Sequence, residues 1–413
     1  MKFKFYKIFN YLFFIWSVGL EQFFFTPYFV YVTYLKNNKL RFAIPTFCIL
    51  VILILMIINL VNIKEPIKLF QLLRNIYTIL GALFIFNYFS SYGKSFNSKN
   101  NFIKTITISS FIIVLCGFLP LIGVNFQYKS IMYSIFSTFD ISLLNQYFTK
   151  TFADEGAGGF FESYVTDFVR PRGLMSFPNQ LAQICLLTFG SCIYLFFNEK
   201  QDSLNVRNIF FVIGMILSII VLLSTLSRGS WIALSISTIF IIFLDIIFRK
   251  KISILNTIFI LFLLIILLAF NAFELVLNRF DNAHSDEGRM LNYLTSIKMS
   301  LSSFYSFLIG HGTQITISSG AENIHLGSHS AYVGIFFKYG IFALLAYISF
   351  QVYLFYKNFQ AFLSEKIDQK LFYYFTYLLI VFAVTPIFYE IDVDMVNVLY
   401  SFALYGVIYD YSK

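Results

Sequence analysis

Apolar residues run along this chain in long unbroken blocks. A helix needs about 20 of them to cross the hydrocarbon core of a bilayer. Blocks of that kind fall at 41–63, 67–90, 102–124, 180–198, 207–226, 229–248, 252–275, 329–356, 371–390 and 395–411. A spanning strand would alternate apolar and polar positions instead, so the blocks predict helices. The stretch 3–35 admits two readings: one helix with Glu21 at its middle, or two short helices turning at Glu21-Gln22.

Composition fixes the solvent. Hydrophobic residues make up 58% of the 413 and charged residues 12%, against about 25% charged in a soluble domain. In water such a chain would expose more apolar area than its polar residues can cover. That excludes a soluble globular enzyme, a disordered chain and a disulfide-rich secreted scaffold. The net charge of +9 then reads as topology, because short cytoplasmic loops collect Lys and Arg. If 3–35 is one helix, Lys36, Lys39, Arg41 and Arg249-Lys250-Lys251 all fall outside. If it is a hairpin, they move inside, together with Lys94, Lys99 and Lys104. The hairpin makes the inside segments strongly basic and the outside ones net acidic. The expectation is an all-α polytopic membrane protein of about twelve spans, one domain over 1–413, with both termini cytoplasmic. The basic balance therefore implies no nucleic-acid partner. Lys2, Lys4 and Lys7 ahead of an apolar run also suit a signal-peptide start, but cleavage there would invert every loop, so the N-terminus is expected to stay. Cys48, Cys116, Cys185 and Cys192 all lie in spans, as small packing residues with no metal site.

Two connections are long, 125–179 and 276–328, and both are expected on the outside in the twelve-span reading. In the first, Gln127–Thr149 suggests an interfacial helix. It is followed by a Gly-rich turn, 155–159, and by Arg170-Pro171-Arg172-Gly173-Leu174-Met175-Ser176-Phe177-Pro178-Asn179, which leads into a span. Ser176 suits a helix cap and Pro178 a first turn. Arginine forks beside free helix N–H groups make an anion site. In the second loop, Arg279 precedes Ser285-Asp286-Glu287-Gly288-Arg289. Leu294, Ile297, Leu301, Phe304 and Leu308 then step by three and four, one face of an amphipathic helix that Gly310-His311-Gly312 ends. All four histidines, His284, His311, His325 and His329, fall between 284 and 329, and histidine is the side chain best suited to moving protons near neutral pH. Arg228 sits in the tight outside turn Ser227-Arg228-Gly229-Ser230, against the charge bias of that side. Each has a plainer reading: lipid-phosphate anchoring for Arg172, an ion pair with Asp286 or Glu287 for Arg289, caps or turns for the histidines. Solvation is the plain reading for the outward acids Glu21, Glu155 and Asp167. Together, several outward arginines beside lipid imply an anionic ligand, most simply a phosphate or pyrophosphate. A nearby histidine offers a base, and aromatic- and Gly-rich loops suit sugar stacking. A lipid-linked sugar pyrophosphate at the outer leaflet would fit all three.

At this point the pattern resembles the O-antigen ligase and O-antigen polymerase superfamily of bacterial envelope proteins. Four pieces over roughly 165–350 carry the resemblance: Arg172-Gly173 with Phe177-Pro178-Asn179; Ser227-Arg228-Gly229; Gly288-Arg289 with Gly310-His311-Gly312; and His329-Ser330 with Gly340 after nine residues. Ala343 stands where the last pattern expects Gly, Thr or Tyr. The resemblance implies a metal-independent glycosyltransferase of the inner membrane, with no cofactor and with its active site facing the periplasm. Its substrate would be an undecaprenyl-pyrophosphate-linked oligosaccharide. It implies that Arg172 and Arg289 neutralise the pyrophosphate and that His329 deprotonates the acceptor hydroxyl. Arg170, Arg228, Arg279, His311 and Asn179 would contact pyrophosphate or glycan. A chain-length regulator is a further expected partner, beside membrane lipid. The first expectation is a polymerase that extends another lipid-linked repeat unit. The alternatives are a ligase acting on lipid A–core and, in another class, a lipid-linked oligosaccharide transporter.

Overall fold

A computed structural model of the chain describes residues 5–21, 23–35, 43–63, 65–92, 99–124, 127–137, 149–151, 153–154, 170–198, 206–249, 283–319, 322–328, 330–387 and 395–413. In chain order the described α-helices are α1 (Leu12–Val18), α2 (Phe25–Leu35), α3 (Ile44–Asn59), α4 (Pro66–Tyr92), α5 (Lys99–Phe118), α6 (Ile131–Ser137), α7 (Pro178–Asn198), α8 (Val206–Ser224), α9 (Arg228–Arg249), α10 (Ala283–Ser300), α11 (Phe304–Ile309), α12 (Ala331–Leu363), α13 (Gln369–Val384) and α14 (Met395–Tyr411). Among the described residues, strands form three antiparallel pairs: β1 (Gln127–Lys129) with β2 (Thr149–Thr151), β3 (Ala153–Asp154) with β4 (Arg170–Pro171), and β5 (Ile315–Ser319) with β6 (Glu322–Leu326).

Seven described helices are long and apolar enough to cross a membrane: Pro66–Ser91, Asn101–Ile122, Pro178–Asn198, Arg207–Ser224, Arg228–Phe248, Ala331–Leu363 and Gln369–Ile387. The expected total of about twelve is thus reached only in part. The block at 252–275 lies outside the described residues. The apolar helices at Ile8–Val18 and Ile44–Asn59 are shorter. Between 3 and 35 the chain forms two elements, because Gly19 leaves the helix at φ +91° and α2 starts only at Phe25. Glu21 in that turn is buried, contrary to the expectation of a solvated acid. The turn folds inward against Ser130 and Met132, beside Gly19.

The largest side chains buried in the bundle are aromatic rings that meet across helices. Phe9 meets Tyr400 at 5.1 Å and Phe350 meets Tyr405 at 5.1 Å. Polar groups inside it are tied across helices, as they must be away from water. Tyr400 donates to Ser109 Oγ (2.8 Å), Tyr377 to the Leu186 carbonyl (3.0 Å), and Ser191 and Tyr374 share a 2.7 Å bond. All four cysteines are free and buried, in keeping with a packing role.

Cross-links define two ends. At one, Lys413 Nζ donates to the Ser90 carbonyl (2.6 Å), Lys370 Nζ to the Phe197 carbonyl (2.7 Å), and Tyr373 to Asp245 (2.9 Å). At the other, Arg170 reaches Thr225, Asn59 Nδ2 donates to the Ile309 carbonyl (2.8 Å), and Tyr332 donates to the Ala383 carbonyl (2.7 Å). The described parts of both long loops belong to this second, loop end.

Two loop expectations are corrected. Gln127–Thr149 is not one interfacial helix: its ends pair as strands, Gln127 opposite Thr151 and Lys129 opposite Thr149, and among its described residues the helical part is Ile131–Ser137. Tyr128, Thr149 and Thr151 favour that pairing. The apolar stride 294–308 is not one helix either. Ser303 and Ser306 exchange side-chain bonds with each other's backbone N–H (3.0 and 3.2 Å), a capping box that ends α10 and restarts the chain as α11.

Candidate functional site

The approach to α7 is held by Arg170. Its Nε and Nη2 fork onto the Thr225 carbonyl at 3.0 and 2.8 Å, and Nη2 reaches Asn179 Oδ1 at 3.5 Å. A charge-assisted pair of bonds of this kind fixes direction as well as distance. Arg170 and Asn179 are therefore tied to each other and to the turn after α8. Gly173, at φ +57°, presses on α5; a Cβ there would stand 2.9 Å from the Ile113 carbonyl. Arg172, between them, is half-buried. The residue flanking α7 is Phe177, one later than the expected Ser176: Gln180 Oε1 accepts from the Phe177 N–H (3.1 Å), and the Phe177 carbonyl accepts from Gln180 N (3.1 Å). Pro178 opens the helix as its spacing predicts.

The turn that Arg170 grips carries Arg228. Leu226 takes φ +53°, Ser227 and Ser230 share a hydroxyl bond (3.0 Å), and Arg228 begins α9 at 8% exposure. A cation at a helix N-terminus opposes the dipole by about 0.3–1 kcal/mol. Local helix stability thus does not account for an arginine there.

Across the loop end, α12 is broken. Gly340 stands inside it at φ +78°, ψ −179°. The break frees the carbonyls of Phe337 and Lys338, which accept from the N–H groups of His311 (2.9 Å) and Gly312 (2.7 Å). The motif Gly310-His311-Gly312 is thus a plug in a broken helix. Both sides need glycine: a Cβ on Gly310 would lie 2.5 Å from the Lys338 carbonyl, and one on Gly340 would overlap the Leu308 carbonyl. The His311 ring packs on Phe337 with centroids 4.6 Å apart, and its Nε2 is buried without a protein partner among the described residues. Burial pushes this imidazole below its ordinary pKa, opposed by the Met299 carbonyl beside it.

Helix α10 grips the segment that leads into α12. Asn292 Nδ2 donates to Ser328 Oγ (3.0 Å), Ser296 Oγ accepts from the Gly327 N–H (2.9 Å), and Ser296 donates to Asn292 Oδ1 (3.3 Å). Arg289 precedes Asn292 by three and Ser296 by seven, so it stands on this same gripping face. Ser330 caps α12, its hydroxyl accepting from the Val333 N–H (3.4 Å). His329, between the buried Ser328 and Ser330, lies outside the described residues, as does Arg279. His325 sits in β6 opposite Thr316, and His284 falls in the first turn of α10. Among the described residues, no three His, Cys, Asp or Glu side chains are grouped to hold a metal.

Two sets thus form: Arg170, Arg172, Asn179 and Arg228 around α7–α9, and Arg289, Asn292, Ser296 and Ser328 around α10–α12. The short 3-10 turn Thr385–Ile387 packs against both α9 and α12, joining the halves at one end of the bundle. Sequence reasoning missed the Asn292-Ser296-Ser300 stride of four, and it set Lys338 aside as an isolated charge within a span, where the structure buries it two residues before the break. A polar stripe opposite an apolar one on α10 was the available signal for the first.

Residues 213–348 match the family model described as O-antigen ligase (Wzy_C). The match runs from the middle of α8 to the middle of α12 and supports the O-antigen ligase and polymerase superfamily. No curated protein matches the chain.

Proposed function

From the O-antigen ligase match we propose that this multi-pass membrane protein is a polysaccharide polymerase. In this reading it moves a glycan from undecaprenyl pyrophosphate onto another lipid-linked repeat unit at the periplasmic face of the bacterial inner membrane. The acceptor hydroxyl attacks the anomeric carbon and a new C–O bond forms. The old bond to the pyrophosphate breaks, and its electron pair leaves with the carrier. His329 takes the hydroxyl proton. Arg172 and Arg289 neutralise the charge growing on the leaving pyrophosphate. Arg228 adds to that field from the base of the turn. Arg170 and Asn179 hold the loop that carries Arg172. Pyrophosphate is a good leaving group, so the step needs no metal or nucleotide.

The observation that supports this reading most is the shared face of α10. Arg289 stands one turn above the side chains that grip Gly327 and Ser328, immediately before His329. In this reading the cation for the leaving group stands on the helix that holds Gly327 and Ser328, the residues just before the proposed base in sequence. Arg279 and His311 have weaker support: the first is outside the described residues, and the second fills the break in α12. A protein that sets chain length is the further partner this reading implies.

The test is elongation of a lipid-linked repeat unit by purified protein in vesicles without any ion gradient. Elongation is expected, with loss in Arg172→Ala, Arg289→Ala and His329→Ala proteins that still reach the membrane. Wild-type product lengths in all three would overturn the site. In cells, loss of a polymerase leaves acceptors with a single repeat unit, whereas loss of a ligase leaves bare acceptors and glycan stranded on its carrier.

A further inference from the structure

Helix α10 is built the wrong way round for a helix in water. Its polar side chains Asn292, Ser296 and Ser300 are buried, at 4%, 0% and 0% exposure, and bonded into the protein. Its apolar side chains face outward: Met290, Leu291, Leu294 and Ile297 are exposed, and Leu301 and Phe304 continue the row past the helix end. At 100° per residue, 290, 294, 297 and 301 fall within a sector of about 60°, and 289, 292, 296 and 300 lie about 90–170° round from its centre. A loop helix in an aqueous compartment would reverse this assignment.

Two spans carry the same outward apolar signature. α10 packs on α12, whose outward positions just past the break are Phe342, Leu345, Ile348 and Val352, all exposed. α9 likewise presents Ile236, Ile239, Phe243 and Ile246. Depth follows from the break. The part of α12 beyond Gly340 is about 34 Å long at 1.5 Å per residue, enough by itself for a hydrocarbon core of about 30 Å. The turns before Gly340, and α10 and α11 packed on them, therefore sit at the boundary of that core.

We infer that α10 is an interfacial membrane helix. The face formed by Met290, Leu291, Leu294, Ile297, Leu301 and Phe304 docks into the acyl chains of the bilayer leaflet at the loop end. Lys298, exposed beside this row in the last turn, lies at headgroup level. The ligand is bulk lipid, held by apolar area, and the polar face with Arg289 is thereby turned from lipid toward the protein.

The test uses the full-length protein in phosphatidylethanolamine–phosphatidylglycerol vesicles with a nitroxide at Leu294→Cys. All four native cysteines are buried, so the label goes to the introduced thiol. Collision with oxygen, which partitions into lipid, is compared with collision with a water-soluble nickel chelate. Oxygen access several-fold above nickel access is expected at Leu294→Cys, with the order reversed at Ser302→Cys in the exposed α10–α11 turn. Nickel access equal to or above oxygen access at Leu294→Cys would overturn the inference by placing the face in water. Low access to both would overturn it too, by showing that protein, either another segment of this chain or a second copy, covers the face. Leu294 is exposed, so the substitution leaves the core intact.

Discussion

At the end of the bundle that holds Ser90, Phe197, Asp245 and Lys413, helices finish and restart by ordinary means. α12 stops at Ser364 and α13 starts from Asp368, whose carboxylate accepts from the Leu371 N–H at 2.7 Å. Lysines reach back to the last carbonyls, as at Lys370 and Phe197. At the loop end the backbone itself is bent to purpose. Gly173, Gly310, Gly312, Gly327 and Gly340 all take positive φ there, a spanning helix is broken, and its open carbonyls are filled by a distant loop. Backbone in sparsely occupied conformations survives only where the surroundings over-determine it, and such places cluster at functional sites. The difference teaches that one end serves to close the bundle, while the other holds loops in fixed register to it.

The contrast breaks most visibly at Gly340. Gly340→Ala adds about 1–3 kcal/mol of backbone strain, because its φ of +78° with ψ of −179° is a conformation open essentially to glycine alone, and drives a Cβ into the Leu308 carbonyl. Loss of most monodisperse protein on gel filtration in detergent is expected. At the closing end Glu365 also has positive φ, +56°, but is exposed, so Glu365→Gly should hold or slightly raise the yield. Next in size is Ser296→Ala. It removes the acceptor from the buried Gly327 N–H, an omission worth about 1–3 kcal/mol. If that cost falls on site geometry, elongation drops about 10- to 100-fold. Tyr373→Phe, which removes a comparable bond to Asp245 at the closing end, should leave elongation unchanged. Arg170→Lys comes third. A single ammonium cannot reproduce the fork onto Thr225, and a net loss of about 1–2 kcal/mol is expected, read as a lower thermal midpoint with reduced elongation. The smallest effect is on pH. Burial holds His311 below its ordinary pKa of about 6.5, so the folded protein resists a proton that the unfolded chain accepts. The stability this gives is present above about pH 6.5 and is lost as the pH falls below it. The thermal midpoint should therefore decline on acidification, and His311→Gln should flatten that part of the decline.

Most spans were legible because a continuous apolar block has only one inexpensive conformation in lipid. α7, α8 and α9 begin and end within two residues of their blocks, and α13 begins within two of its own; α14 fills the block 395–411 but is not among the helices long and apolar enough to cross a membrane. Gly310-His311-Gly312 was legible as a helix end, since glycine commonly follows the last turn. Its second task was not, because the broken helix it fills lies nearly thirty residues later. Nor were the strand pair around Ile131–Ser137 or the capping break at Ser303. Periodicity reports which face a residue occupies, and it is silent on where backbone bonds are traded between segments. Arg170 was read as a ligand contact; the structure adds a fork onto the Thr225 carbonyl, a partner 55 residues away that no local pattern signals.

The account depends on the loop end facing the periplasm. Ser302, exposed in the α10–α11 turn, and Ser364, exposed after α12, mark the two ends. Each is replaced by cysteine in otherwise unaltered protein and exposed to a membrane-impermeant maleimide in intact spheroplasts. Labelling of Ser302→Cys in intact spheroplasts, with Ser364→Cys labelled only after lysis, is the predicted result. The reverse pattern would put the arginine-bearing loops in the cytosol and contradict the account.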